Sequence, residues 1–195
     1  MKKIFLIVSF YALISCSNDK KNETITGEDE AVTIQTKEIN PSELKKYKSV
    51  KEMLEDAHDF TVEQGTLKFI NNDENNLHIQ VSKPILENDS DKMINDIVKR
   101  DIVYAAFQSF AQTPINKITI TSIPIDLNNK KKYYNEYKKT VIVTKEKADR
   151  IMQKEFGSTD YSILFTTLNG LQVPGDKFSK LKFQDLDFVY KELSK

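Results

Sequence analysis

Residues 88–111 read NDSDKMINDIVKRDIVYAAFQSFA, and this stretch decides the fold class. Ile94, Ile97, Val98, Ile102, Ala105, Ala106 and Phe110 recur at helical spacing and hold one broad apolar stripe, which Val103 and Phe107 widen. Asp89 and Asp91 suit the positive end of a helix dipole, and Pro114 sets the far limit. A helix this apolar has to be covered on most of its surface, so it is expected to be the central core element.

Short alternating segments flank it. Thr66–Ile70 and Leu77–Val81 alternate apolar and polar residues, and the run Asn71–Asn76 between them supplies turn formers, which predicts a hairpin. Beyond the helix, Lys117–Thr121 alternates, but the pattern slips at Ser122-Ile123-Pro124-Ile125. A bulge or a strand edge near Pro124 would account for the slip. Glu136–Thr144 reads as the next strand, with Tyr137, Lys139, Val141 and Val143 on one face, and the loop Leu127–Lys132 makes a second hairpin. Thr144 is placed to cap another helix carrying Ala148, Ile151, Met152 and Phe156, which Gly157 ends.

Three weaker elements complete the pass: a capping box at Ser49-Val50-Lys51-Glu52 before a helix near 50–58, a strand at Ser162–Thr167, and a helix from about Gln184 to Leu193. The order from Thr66 is ββαββα. The expected fold class is α+β, with a single antiparallel sheet and helices packed on one face.

The N-terminus carries a different signal. Lys2 and Lys3 precede eleven uncharged residues, Ile4–Ile14, a basic and apolar pair of regions of secretory length that is too short to span a bilayer. The block Leu13-Ile14-Ser15-Cys16 closes it and resembles the lipobox of bacterial lipoproteins. The resemblance covers the first 16 residues. It implies cleavage before Cys16, lipidation of that cysteine, and a protein held in the cell envelope through a lipid anchor; Ser17 points to the outer membrane by the same resemblance. Two or three acyl chains would hold such a protein firmly, since each buried methylene contributes about 0.8 kcal/mol. The expected organisation is therefore a signal peptide at 1–15, a lipidated cysteine and flexible polar tether at 16–48, and a single α+β domain at 49–195. A tether of this length reaches on the order of 30 Å. Part of Ala31-Val32-Thr33-Ile34 would suit a docked strand.

Composition narrows the chemistry. The 29 basic and 29 acidic residues balance, and removal of Lys2 and Lys3 with residues 1–15 would leave 27 against 29, a net charge of −2. Such a surface has no overall field for nucleic acid. Cys16 is the sole cysteine, so its lipidation would leave no thiol for a disulfide, thiolate catalysis or zinc. Five scattered glycines form no phosphate-binding loop, and neither a G-x-S-x-G elbow nor an H-E-x-x-H motif is present. No cofactor is implied.

Candidate sites each have a plain structural explanation beside the functional one. His58 falls at a helix end, where imidazolium suits the dipole, and His78 should point away from the face that Leu77 and Ile79 cover. Asp89, Asp91, Asp96 and Asp101 suggest cation binding, but they lack the glycine and distant glutamate of an EF-hand loop, and helix capping explains them better. The segment Lys130-Lys131-Lys132-Tyr133-Tyr134-Asn135-Glu136-Tyr137 has the most distinctive composition. Its possible partner-binding residues are Lys130, Lys131, Lys132, Tyr133, Tyr134 and Tyr137, and the alternative is a solvated hairpin whose lysines protect a sheet edge.

The expected function is non-enzymatic: a membrane-anchored lipoprotein that presents a small binding domain to a protein or cell-envelope polymer, as an envelope adaptor or an immunity-type antagonist. The alternatives are a carboxylate-based envelope hydrolase and a carrier of a small apolar ligand. A deep cleft holding two carboxylates, one of them desolvated, would favour the hydrolase.

Overall fold

The computed structural model describes residues 36–195; Cys16, the apolar segment before it and Ala31-Val32-Thr33-Ile34 lie outside the described residues. The chain runs through β1 (Thr36–Glu38), α1 (Val50–Asp56), β2 (Leu67–Asn71), β3 (His78–Val81), β4 (Pro84–Ile85) and α2 (Asp91–Gln112). It continues through β5 (Lys117–Ser122), β6 (Ile125–Asp126), β7 (Lys139–Thr144), α3 (Lys145–Phe156), β8 (Phe165–Leu168) and β9 (Leu171–Pro174). It closes with α4 (Asp176–Ser179), a π-helical turn (Lys180–Gln184) and α5 (Leu186–Ser194). No described helix is long and apolar enough to cross a membrane.

The central helix forms as its periodicity dictates. Ser90 Oγ accepts a hydrogen bond from the Met93 amide at 3.3 Å and so satisfies a free donor of the first turn. From Asp101 to Gln112 every residue of α2 is buried. The helix packs against the inward row of a four-stranded sheet ordered β2-β3-β5-β7, where Ile79, Val81, Ile118, Ile120, Val141 and Val143 are all buried. On a second side lies an aromatic cluster: Phe178 stacks on Tyr104 at 5.7 Å and meets Phe165 edge-on at 5.6 Å, with Phe107 at 6.5 Å. Helix starts follow their signals as well. Ser49 caps α1 through the Glu52 amide, and Glu52 reaches back to the Lys48 amide at 3.2 Å. Thr144 caps α3, which ends on left-handed Gly157.

The fold is α+β in the predicted order, but the single antiparallel sheet is incorrect. The described residues form three sheets, and β3 pairs with β5 in parallel. The reason is the crossover: α2 carries the chain back along the sheet, so β5 starts at the same end as β3. Pro124 introduces no register shift on this side. His78 lies opposite Thr119 and Ile85 opposite Asp126, so the offset of 41 residues is kept through β4 and β6. The parallel ladder crosses both prolines through the Ile123 and Ile125 amides, which donate to the Val81 and Lys83 carbonyls. On its other side, β5 pairs with β7 only as far as Lys139, so the loss of alternation marks the end of that pairing. Glu136 and Tyr137 accordingly leave the predicted strand and lie in a 3-10 turn, Asn135–Tyr137.

The remaining sheet, β1-β8-β9, departs most from the sequence reading. The predicted strand at 162–167 starts at Phe165, after a 3-10 turn Tyr161–Leu164 whose Ser162 amide is held by Asp160. It then turns back through Asn169 (φ 50°) and Gly170 (φ 82°), both left-handed as a two-residue hairpin requires. The folded unit also begins before residue 49. Thr36–Glu38 pairs with β8, Ile39 and Leu44 are buried, and the Tyr47 amide donates to the Gln112 carbonyl at 2.8 Å. Apolar spacing was too sparse in this segment to show it.

Candidate functional site

The lysine–tyrosine segment is largely engaged by carboxylates of its own chain. Tyr134 donates to Asp126 at 2.9 Å, and Lys132 lies 3.4 Å from the same carboxylate and 4.9 Å from the Tyr134 ring. Asp126 is held below the usual carboxylate range, first by the Tyr134 hydroxyl. Tyr137 donates to Asp91 at the start of α2. The Tyr133 ring sits 4.7 Å from Lys68 Nζ on the outer face of β2. Lys130 and Lys131 stay exposed. Lys132, Tyr133, Tyr134 and Tyr137 therefore meet three different neighbourhoods, and their clearest shared job is to pin the loop between β6 and β7.

On the outer face of the four-stranded sheet the described residues are mostly polar. Lys68, Gln80, Thr121 and Thr140 stand in one cross-strand row by register. His78 bonds Thr121 at 2.9 Å, and Thr121 bonds Thr140 at 2.8 Å. Burial and the nearby Lys138 push the His78 imidazole below its ordinary pKa. His58 adopts φ 57° just past the end of α1.

A more concentrated constellation lies on the opposite side of that sheet. Arg100, Asp101 and Tyr104 project from the middle of α2, Lys83 from the link between β3 and β4, Pro84 from the start of β4, and Asp59 from the segment after α1. The π-helical turn adds Lys182 and Phe183, and together these residues line a cleft of about 240 Å³. The wider turn is closed by the Asp185 amide on the Lys180 carbonyl at 3.0 Å, five residues back. It swings Lys182 over the Tyr104 ring, 4.5 Å from its centroid, and leaves Phe183 exposed beside the Arg100 guanidinium.

The charges in this cleft are unevenly paired. Asp101 is 6 % exposed and accepts a hydrogen bond from Ser122 Oγ at 3.2 Å. Burial pushes its carboxyl up to about 7, against the pull of Lys83 and the Ser122 hydroxyl. Lys83 makes a loose pair with Asp59 at 3.3 Å. Lys182 forms no salt bridge among the described residues and rests on aromatic faces instead; burial lowers its pKa. The Tyr104 phenol is pushed upward by burial and then by Asp59. Chemically, the cleft offers three cations and a carboxyl that titrates near neutrality.

The sequence reading overlooked this site because it treated Asp101 as part of a capping cluster. A signal existed: Asp101 continues the spacing Ile94, Val98, Ala105 on the apolar stripe, which marks it as inward-facing. The other three acids do serve the helix start or its surface. Asp89 accepts from the Leu86 amide, Asp91 takes the Tyr137 hydroxyl, and Asp96 pairs with Lys92. Among the described residues no group of three His, Cys, Asp or Glu is arranged to hold a metal ion. No protein-family model, curated protein or solved structure matches the chain.

Proposed function

We propose that the folded unit is a binding domain, displayed in the cell envelope from a lipidated Cys16, that recognises an acidic group of a protein or envelope polymer through the Asp101–Lys182 cleft. The observation that carries this reading is the unpaired, half-buried Lys182 beside Arg100 in a concave site. An ammonium withdrawn from water without a carboxylate costs stability, and an incoming carboxylate would offset that cost. With Asp101 protonated, Lys83, Arg100 and Lys182 outweigh Asp59 by two charges; with Asp101 ionised, by one. Affinity for an anion should therefore fall as pH rises through about 7.

A hexaglutamate peptide titrated into the protein by calorimetry tests the idea. The expected result is binding at least fivefold tighter at pH 6 than at pH 8. Lys182→Gln should weaken binding at least tenfold, and Asp101→Asn should flatten the pH dependence. Equal affinity for wild type and Lys182→Gln would remove the cleft from consideration. Intact-mass analysis of the native product tests the anchor separately: an unmodified chain that still begins at Met1 would refute it.

One observation favours a second reading, the carboxylate-based hydrolase. Asp101, held protonated up to about pH 7, shares the cleft with Asp59, and a desolvated acid beside a second carboxylate is the arrangement general acid catalysis uses. Turnover of envelope glycan that disappears in both Asp101→Asn and Asp59→Asn would replace the binding reading with this one.

A further inference from the structure

A separate groove of about 460 Å³ is formed where the start of α1, the β2–β3 turn and the α2–β5 connection meet. Its apolar lining includes Phe69, Leu77 and Ile115. Around it stand Lys48, Lys51 and Lys117, all exposed. None of the three forms a salt bridge among the described residues, whereas Lys45 pairs with Asp56 and Lys145 with Asp149. Glu74 is the single carboxylate lining the groove, so the lining carries a net charge of +2.

Apolar lining and an uncompensated cationic rim call for one kind of occupant. A neutral hydrocarbon would leave the lysines unanswered, and a small hydrophilic anion would leave the apolar lining wet. We infer that this groove binds a single amphiphilic organic anion, an apolar chain or ring ending in a carboxylate or phosphate, with the chain against Phe69, Leu77 and Ile115 and the anionic end toward Lys51 and Lys117. The volume lies within the range of small-molecule sites. The inference stands apart from the Asp101–Lys182 cleft, which other elements build.

The test uses monomeric dodecanoate, below its aggregation concentration, followed by calorimetry on the folded protein. Dodecanoate should bind with one-to-one stoichiometry, dodecanol at least tenfold more weakly, and inorganic phosphate not measurably. Lys51→Glu combined with Lys117→Glu should weaken dodecanoate at least tenfold while far-UV circular dichroism and the melting temperature stay near wild type. Lys182→Gln should leave dodecanoate binding unchanged, which separates this groove from the cleft. Equal affinity for dodecanol and dodecanoate overturns the inference, as does an unaltered double variant. Binding confined to phosphatidylglycerol vesicles, or phosphate binding as tight as dodecanoate, overturns it as well.

Discussion

At pH 8, Asp101→Asn is expected to stabilise the protein by about 4 kcal/mol, and at pH 5 by about 2 kcal/mol. In the folded protein this carboxyl holds its proton up to about pH 7, whereas in the unfolded chain it ionises near 3.8. Between those values the folded state binds the extra proton, so raising the pH favours unfolding. The penalty is absent below about pH 4, grows through the interval, and is complete above about pH 7. Asparagine occupies the same space, can still bond Ser122, and never ionises, so it removes the penalty. His78 contributes a slope of opposite sign, because its lowered pKa makes protonation favour the unfolded chain. Both proteins carry His78, and its effect cancels in the difference. Urea denaturation at the two pH values measures the outcome. Parallel stability profiles for wild type and variant would mean that Asp101 is hydrated and ionised in the native protein.

Phe178→Ala should destabilise the fold by about 4 kcal/mol, the range for removing a fully buried aromatic ring. Phe178 has no exposed surface, and its ring holds together Tyr104 from α2, Phe107 from the same helix and Phe165 from β8. The loss would also reach the cleft, because Phe178 supports the ring of Tyr104 on which Lys182 rests and lies one turn before Lys182 itself. A fall in melting temperature of roughly 10 °C is expected for a unit of this size. Hexaglutamate binding should weaken in the same variant, measured well below its melting point. A loss under about 1 kcal/mol would show that the aromatic cluster packs loosely around this ring.

Legibility in the sequence followed how local the determining physics was. The stripe from Ile94 to Phe110, the Ser49–Glu52 box and the Thr144/Gly157 pair are each decided within a turn or two of chain, and each formed as expected. Strand direction was not local. Whether β5 runs with or against β3 depends on where a 22-residue helix delivers the chain, which alternation alone does not encode. The hairpin at Asn169-Gly170 was readable, since this dipeptide is a strong turn signal, and the strand before it was expected, but Leu171–Pro174 alternates too briefly to have drawn notice. Phe178 was invisible for a similar reason: it is a lone apolar residue among Asp176, Lys177, Ser179 and Lys180, and only the tertiary fold surrounds it. The cleft combines both failures. Its residues come from four separated segments, and its key acid was hidden inside a helix whose acids elsewhere do ordinary capping.

The pairing of β1 with β8 sets an order of assembly. A nascent chain can close the four-stranded sheet once Thr144 has emerged, but Thr36–Glu38 has no strand partner until Thr166–Leu168 follows. The Gln172 side chain then fastens the same region, accepting from the Lys45 amide and donating to the Glu43 carbonyl. Closing so long a loop, from Thr36 to Leu168, carries a large entropic cost. β1 should therefore be the last of the described strands to seat and the first to peel away under load.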